Sequence, residues 1–531
     1  MNADFTSGID SLTGLTIDNV GKTKIETAKA LISGDAGKIK AESEASSVEV
    51  SGLGAYAGTF ANAENTAKSQ TYLKAKEHKA DSLDINSYLN SKAYADVDST
   101  KVTVIVGVNS IGFDAKDTSN LDLVMAGTNT ITGNAIINAI HNSDIKSSLY
   151  GFNFGLVGSG QRIRIDADLN SSTTGSLGGD FNAGQAAFDF QTTRNSVTDI
   201  STGSGGIINV NDDGSSETSN RLRGNSVLTV DGLKTDKDVA NNNITINNTS
   251  TNTFDTISKH GSGGVVNVST SASHAELNTS TTTNVKNADI NSNDTIAYNV
   301  TNNTIVADSG SNNGGGVVSV LHGNFSRSYT SGAYLNLENS EIRANDINMN
   351  TLSNIKSKDN KTFYYDAGGG GLVSVSDVDV DNTLTQTSQI DLRNSSKLYA
   401  ENDAKLEVKT GSWFKRFSDN DNRGFVGAPS ADIELNETNT NKISLDSSSL
   451  IKADNQTIFN FDSNNTLSSE AVSEAYGFAA PAEAYSYLRL TVNNELNNSG
   501  SITAGKLVDV NYMNNSYNDL YNRARTESTA L

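Results

Sequence analysis

A glycine-plus-apolar signature returns about every fifty residues along this chain, and no other feature limits its possible folds so strongly. It reads Gly52-Leu53-Gly54, Val106-Gly107-Val108, Gly155-Leu156-Val157, Gly205-Gly206-Ile207-Ile208, Gly263-Gly264-Val265-Val266, Gly315-Gly316-Val317-Val318, Gly370-Gly371-Leu372-Val373, Arg423-Gly424-Phe425-Val426 and Tyr476-Gly477-Phe478-Ala479. Repetition at a fixed period marks a stack in which each unit buries its apolar face only against its neighbours. A length of 531 residues would ordinarily suggest about three or four domains. Yet composition does not shift along the chain, and proline occurs only at 429 and 481. One continuous architecture over residues 1–510 is therefore expected, closed by a polar tail or truncated coil at 511–531.

Within the units a second pattern follows the glycines: Asp289-Ile290-Asn291-Ser292, Glu341-Ile342-Arg343-Ala344, Lys397-Leu398-Tyr399-Ala400 and Leu450-Ile451-Lys452-Ala453. Alternating stretches come next, as in Ile347-Asn348-Met349, Ala404-Lys405-Leu406-Glu407-Val408 and Ile458-Phe459-Asn460-Phe461. Period-2 alternation predicts half-buried strands, and no stretch favours an amphipathic helix. Asn241-Asn242-Asn243, Asn302-Asn303 and Asn464-Asn465 suit tight corners, where asparagine tolerates left-handed backbone and can stack its amides into ladders. The pattern is that of an all-β chain wound as a parallel β-helix, a solenoid of about 53-residue units. A unit of this length is expected to hold two long coils or three short ones, giving about twenty to thirty coils and a rod on the order of 100 to 140 Å. Stacked glycines predict a narrow corner with no room for a Cβ, and Val318 and Leu398 are expected to point into the core.

Composition closes several routes to function. The chain has no cysteine, which removes disulfides and thiol chemistry. Its net charge of -21 disfavours nucleic acid and anionic membranes. No apolar run is long enough to span a bilayer, and the first eighteen residues lack the pattern of a secretory signal. With the repeat already running at Gly37-Lys38-Ile39-Lys40-Ala41 and again at Ser501-Ile502-Thr503-Ala504, the chain is expected to be a fragment of a longer one.

Chemistry-bearing residues are sparse. His78, His141, His260, His274 and His322 form no local metal motif and are expected on the surface, although stacking could bring His274 towards His322. Asp377, Asp379 and Asp381 alternate along one strand and share a face, a calcium-compatible set that more simply makes a solvated acidic strand. Asp419 and Asp421 before Gly424 begin like an EF-hand loop, and Arg423 breaks the match. Trp413, Phe414 and Phe417 suggest a loop anchored on the rod, or else a sugar-stacking platform. Sequons such as Asn247-Asn248-Thr249, Asn299-Val300-Thr301 and Asn436-Glu437-Thr438 are compatible with glycosylation. No catalytic, cofactor-binding or metal-ligating residue is assigned.

Gly368-Gly369-Gly370-Gly371-Leu372-Val373-Ser374-Val375, followed by Ser396-Lys397-Leu398-Tyr399-Ala400-Glu401-Asn402, resembles the repeats of leukotoxin-type large filamentous adhesins exported by two-partner secretion. The likeness runs from about residue 37 to 510 along the repeating stretch. It implies a right-handed β-helical shaft, export through an outer-membrane pore, a bacterial-surface or extracellular location, and attachment to a receptor on host cells or other bacteria. The Asn-Pro-Asn motifs of that family's secretion domain are missing, so the chain corresponds to shaft rather than export signal. A non-enzymatic adhesin shaft is the function expected. A carbohydrate-active β-helix, such as a polysaccharide lyase, hydrolase or phage tailspike, and a self-assembling surface fibre are the alternatives.

Overall fold

The computed structural model describes residues 2–10, 16–18, 22–26, 38–51, 54–103, 105–212, 218–236, 242–513 and 520–530. Gly37, Gly52, Leu53 and Asn241, which belong to the patterns above, lie outside the described residues. The described chain is almost entirely strand, in one large parallel sheet, with a single 3-10 turn at Lys358–Asn360. Each residue pairs with its counterpart one repeat away: Val266 with Val318, Val318 with Val373, and Val373 with Val426. One repeat is therefore one layer.

This register corrects the expectation of two or three coils per unit. About ten layers at the inter-strand spacing make a stack on the order of 50 Å tall, not a rod of twice that length or more. The reason is physical. Inward Ser, Thr and Asn interrupt the apolar alternation, so the sequence suggests several short strands where the backbone runs straight on, as it does through Asp403–Leu445.

The layer around Gly371 shows the path. The chain leaves the glycine corner along the second half of Phe363–Arg393, turns at Asn394 and Ser395, crosses a short end strand at Lys397–Ala400, and returns along Asp403–Leu445 to Gly424. The outward and return arms lie face to face. Ser388 Oγ accepts from the Lys409 amide at 3.0 Å, and the Asn420 amide donates across to the Ser430 carbonyl at 2.7 Å.

Inward side chains fill two separate apolar clusters. One, at the short-strand end, holds Ile390, Leu392, Leu398, Leu406 and Val408; the other, nearer the glycine corner, holds Val378, Val380, Leu384, Phe414 and Ile433. Burial of each such side chain is worth roughly 1.5–3 kcal/mol. The short strands stack in register through Ile290, Ile342, Leu398, Ile451 and Ile502, so the second sequence pattern is a true apolar column. Leu398 is fully buried, as expected.

Between the two clusters runs a buried polar spine. Asn252 Nδ2 donates to Asn302 Oδ1 at 2.8 Å, Ser353 Oγ to Ser331 Oγ at 2.9 Å, and Asn439 Nδ2 to Asn465 Oδ1 at 2.7 Å. Asn302 and Asn465, expected at corners, thus sit in mid-strand and point inward. Amide ladders do form elsewhere: Asn350 donates to Asn299, and Asn299 to Asn247, each at 2.9 Å. Left-handed asparagines make true corners at Asn287, Asn339 and Asn394.

At the glycine corner, backbones close in as the sequence predicts. A Cβ on Gly424 would stand 2.6 Å from the Gly371 carbonyl oxygen, and one on Gly316 or Gly477 would come closer still to the glycine below. Beyond that corner the alternation inverts, with Ser319 and Ser374 buried while Val318, Val320, Val373 and Val375 face out. Val318 is 38 % exposed, which overturns its expected inward position. Straightening after a tight bend carries the next residue outward, and apolar identity alone gives no sign of it.

Residues 511–513 and 520–530, expected as a tail or truncated coil, pair in parallel with Gln456–Gly477.

Candidate functional site

The inverted alternation leaves an apolar ridge along the stacking direction. Val317 and Val318, Leu372 and Val373, Phe425 and Phe478 come from successive layers in register, with exposures reaching 64 % at Phe478. Phe425 and Phe478 lie parallel with ring centroids 5.1 Å apart. Beside them an apolar groove of about 580 Å³ is lined by Gly424, Phe425, Tyr476, Gly477, Phe478 and Thr529. Single exposed apolar residues are ordinary, but a continuous line of them marks an interaction surface.

Acidic groups stand on the outer faces of both arms, back from the corner. On the outgoing side His322 pairs in register with Asp377, and Asp379 with Asp432. His322 Nδ1 donates to Asp377 Oδ2 at 3.1 Å, and this bond raises the imidazole above its ordinary range against the opposing effect of burial. Partial burial, then the neighbouring Asp377 charge, pushes the Asp379 carboxyl up. Asp432 rises for the same reason, with Asp379 and Asp377 adding to burial. On the incoming side, burial together with Glu474, Asp421 and Asp366 lifts Asp419 to about 6.

The His322, Asp377 and Asp379 ligand atoms lie within 4.8 Å of one another. One imidazole nitrogen and two carboxylates suit a divalent cation such as zinc. The hydrogen bond from His322 to Asp377 uses one imidazole nitrogen and one carboxylate oxygen of this group. Asp381 shares the same outward face, and Asp421 is bound by Arg423 at 2.9 Å.

The remaining histidines divide. His274 is exposed and lies beside Ser326 rather than His322, whose neighbour is Thr270. His78, His141 and His260 are buried, against the expectation of surface positions. His141 sits in the polar spine, 2.9 Å from Ser119 Oγ and 3.1 Å from Thr173 Oγ1, and burial holds its pKa down to about 3. Trp413 is not in a loop: it faces outward from a strand with the Lys415 ammonium 5.0 Å above its ring, while Phe414 points into the core and Phe417 meets Tyr364. Asn247, Asn299 and Asn436 face outward too, the first two tied into the amide ladder.

Buried charges went unrecognised in the sequence. Asp308 accepts from Arg327 Nε at 2.6 Å, Tyr365 Oη at 2.5 Å and Tyr329 Oη at 3.2 Å. Burial alone pushes Asp308 up, and Arg327 and Arg416 outweigh it, so the carboxyl stays below its usual range. Arg416 is enclosed by rings, with Phe363 at 4.1 Å and Phe414 at 5.0 Å. In the spine, Glu437 is lifted to about 7 by burial while accepting from Ser412, Asn439 and Gln386. These groups are sealed from solvent and hold the layers together. The ridge, by contrast, had a signal: Gly-Phe replaces Gly-Val or Gly-Leu in the last two repeats. No known family, curated protein or solved structure matches the chain.

Proposed function

We propose that this chain is a shaft segment of an exported bacterial adhesin, wound as a right-handed parallel β-helix, whose task is to carry binding surfaces away from the cell. The observation that supports this reading is the unbroken in-register stacking. From Val266 through Val318 and Val373 to Val426 each layer repeats the last, and such a stack is stiff because every layer shares backbone hydrogen bonds and two apolar columns with its neighbours. The acidic residues enclosed between the arms, such as Glu437 and Asp308, are occupied by structural hydrogen bonds.

Antibodies raised against the purified chain should label intact cells of the producing bacterium, and protease added outside should remove the label. Label confined to lysed cells would overturn the surface assignment. The winding is tested separately by an electron-density map, in which left-handed turns or separate globules would exclude the proposed helix.

A further inference from the structure

We infer that a hollow in the outer face of the return arm, centred on Gly411, is a binding site for a pyranose sugar. Outward positions recur every second residue along a strand and once per layer across it, so Gly411 has four nearest outward neighbours. Lys409 and Trp413 precede and follow it on the strand Asp403–Leu445. Asn354 and Asn464 are its register partners in the layers on either side. All five positions face away from the core. Glycine puts no side chain at the middle position, and the side chains around it enclose a hollow of about 340 Å³, the size of a small ligand pocket.

The walls match the two surfaces of a sugar ring. One face of a pyranose carries C–H groups, which the negative π-face of an aromatic ring attracts, while its rim carries hydroxyls that both donate and accept. Trp413, the chain's single tryptophan, supplies the aromatic surface. Lys415, on the side of Trp413 away from Gly411 along the strand, caps one ring face with its ammonium 5.0 Å from the centroid. Asn354 and Asn464 supply the polar pair. Each amide offers two donors and an acceptor, and neither has a hydrogen-bond partner among the described residues. Where asparagine fills three successive layers, at Asn247, Asn299 and Asn350, the amides bond to one another; here glycine removes the middle rung. Asn354 Oδ1 leans over the gap, 3.4 Å from the place a Gly411 Cβ would take.

Charge at the walls is nearly balanced. Lys409 bonds Glu407 at 3.0 Å and lies beside Asp462 of the next layer. That leaves Lys356, beside Trp413, as the one cation lining the hollow without an ion pair among the described residues. A field of unpaired lysines would call for a polyanion. One lysine with a tryptophan and two amides fits a neutral or singly acidic sugar.

The hollow does not depend on how the chain is exported, so purified protein tests it apart from the adhesin reading. Because Trp413 is the only tryptophan, its emission reports this site alone. Cellotriose, chitotriose and trigalacturonate are titrated separately, and a saturable change in emission is expected with at least one of them. Gly411→Asn fills the hollow and restores the missing rung, whereas Asn354→Ala with Asn464→Ala removes the amides and keeps the glycine. Each should weaken binding about tenfold or more. Circular dichroism and melting show which variants fold; all three positions are outward-facing. No saturable change with any of the three sugars, or unchanged affinity in either variant that folds, would overturn the inference. So would a proline-rich peptide that binds at Trp413 more tightly than every sugar.

Discussion

Glu437 shows how a single residue in this stack sets pH dependence. Its carboxyl lies wholly inside the polar spine with no cation among its hydrogen-bond partners, and burial raises its pKa from its ordinary value near 4.5 to about 7. Between those values the folded chain holds a proton that the unfolded chain has lost. Stability from this group therefore falls as pH rises from about 4.5 to about 7. Glu437→Gln should accordingly raise the melting temperature at pH 8 and leave it nearly unchanged at pH 4.5, a difference corresponding to a few kcal/mol. Denaturant melts of both proteins across that range give the measurement; a parallel shift at every pH would show that the carboxyl is not the titrating group. His141 works in the opposite sense, because burial lowers its pKa to about 3, and the stability of its neutral form is lost as pH falls below the unfolded value near 6.5.

Single strands and corners separate what the sequence made legible from what it hid. The glycine column was readable because crowding by another backbone is one of the few reasons to repeat glycine within strands. Gly316→Ala should cost about 1–3 kcal/mol, since its Cβ would overlap the Gly264 carbonyl. Gly261→Ala, whose Cβ would find its nearest neighbour at 3.7 Å, should be almost neutral. The column through Ile342 and Leu398 was equally plain, being apolar at one phase in every repeat. Phase across the corner was not plain, because valine looks the same whether it faces core or solvent. Leu398→Asp should destabilise by several kcal/mol, while Val318→Asp should stay within about 1 kcal/mol of the parent. Equal losses in both would restore the inward reading of Val318. Asn302 and Asn465 misled for a related reason, as asparagine serves a turn and a buried amide network with the same side chain.

Across the whole molecule, the repeat period was visible and its meaning was not. Counting strands by apolar alternation divides each repeat into short pieces, and only the pairing of Val373 with Val426 shows that a repeat closes one layer. Excision of residues 373–425 should therefore join one layer to the next in register and leave a shorter folded stack with unchanged circular dichroism per residue. Removing 373–398 should not, because the outgoing arm would meet return-arm sequence and the glycine column would be interrupted. Survival of the second deletion with a sharp melt would restore a shorter coil. The ridge and the acidic outer faces follow the same rule of distance: Asp379 and Asp432, or Phe425 and Phe478, become neighbours only through the layer register.

The polar spine has a consequence for how such a chain comes to be built. Two greasy columns alone would let facing arms slide, whereas hydroxyls and amides at fixed positions, such as Ser353 opposite Ser331 and Asn439 opposite Asn465, lock the arms laterally. A finished layer then presents an edge of unpaired backbone groups and waiting side-chain donors, a template on which the following stretch can be copied. The first loop closes with no such edge to pair with, and every later addition spans the same chain distance at the same entropic cost. A stack of this kind can nucleate at any layer and propagate to its neighbours.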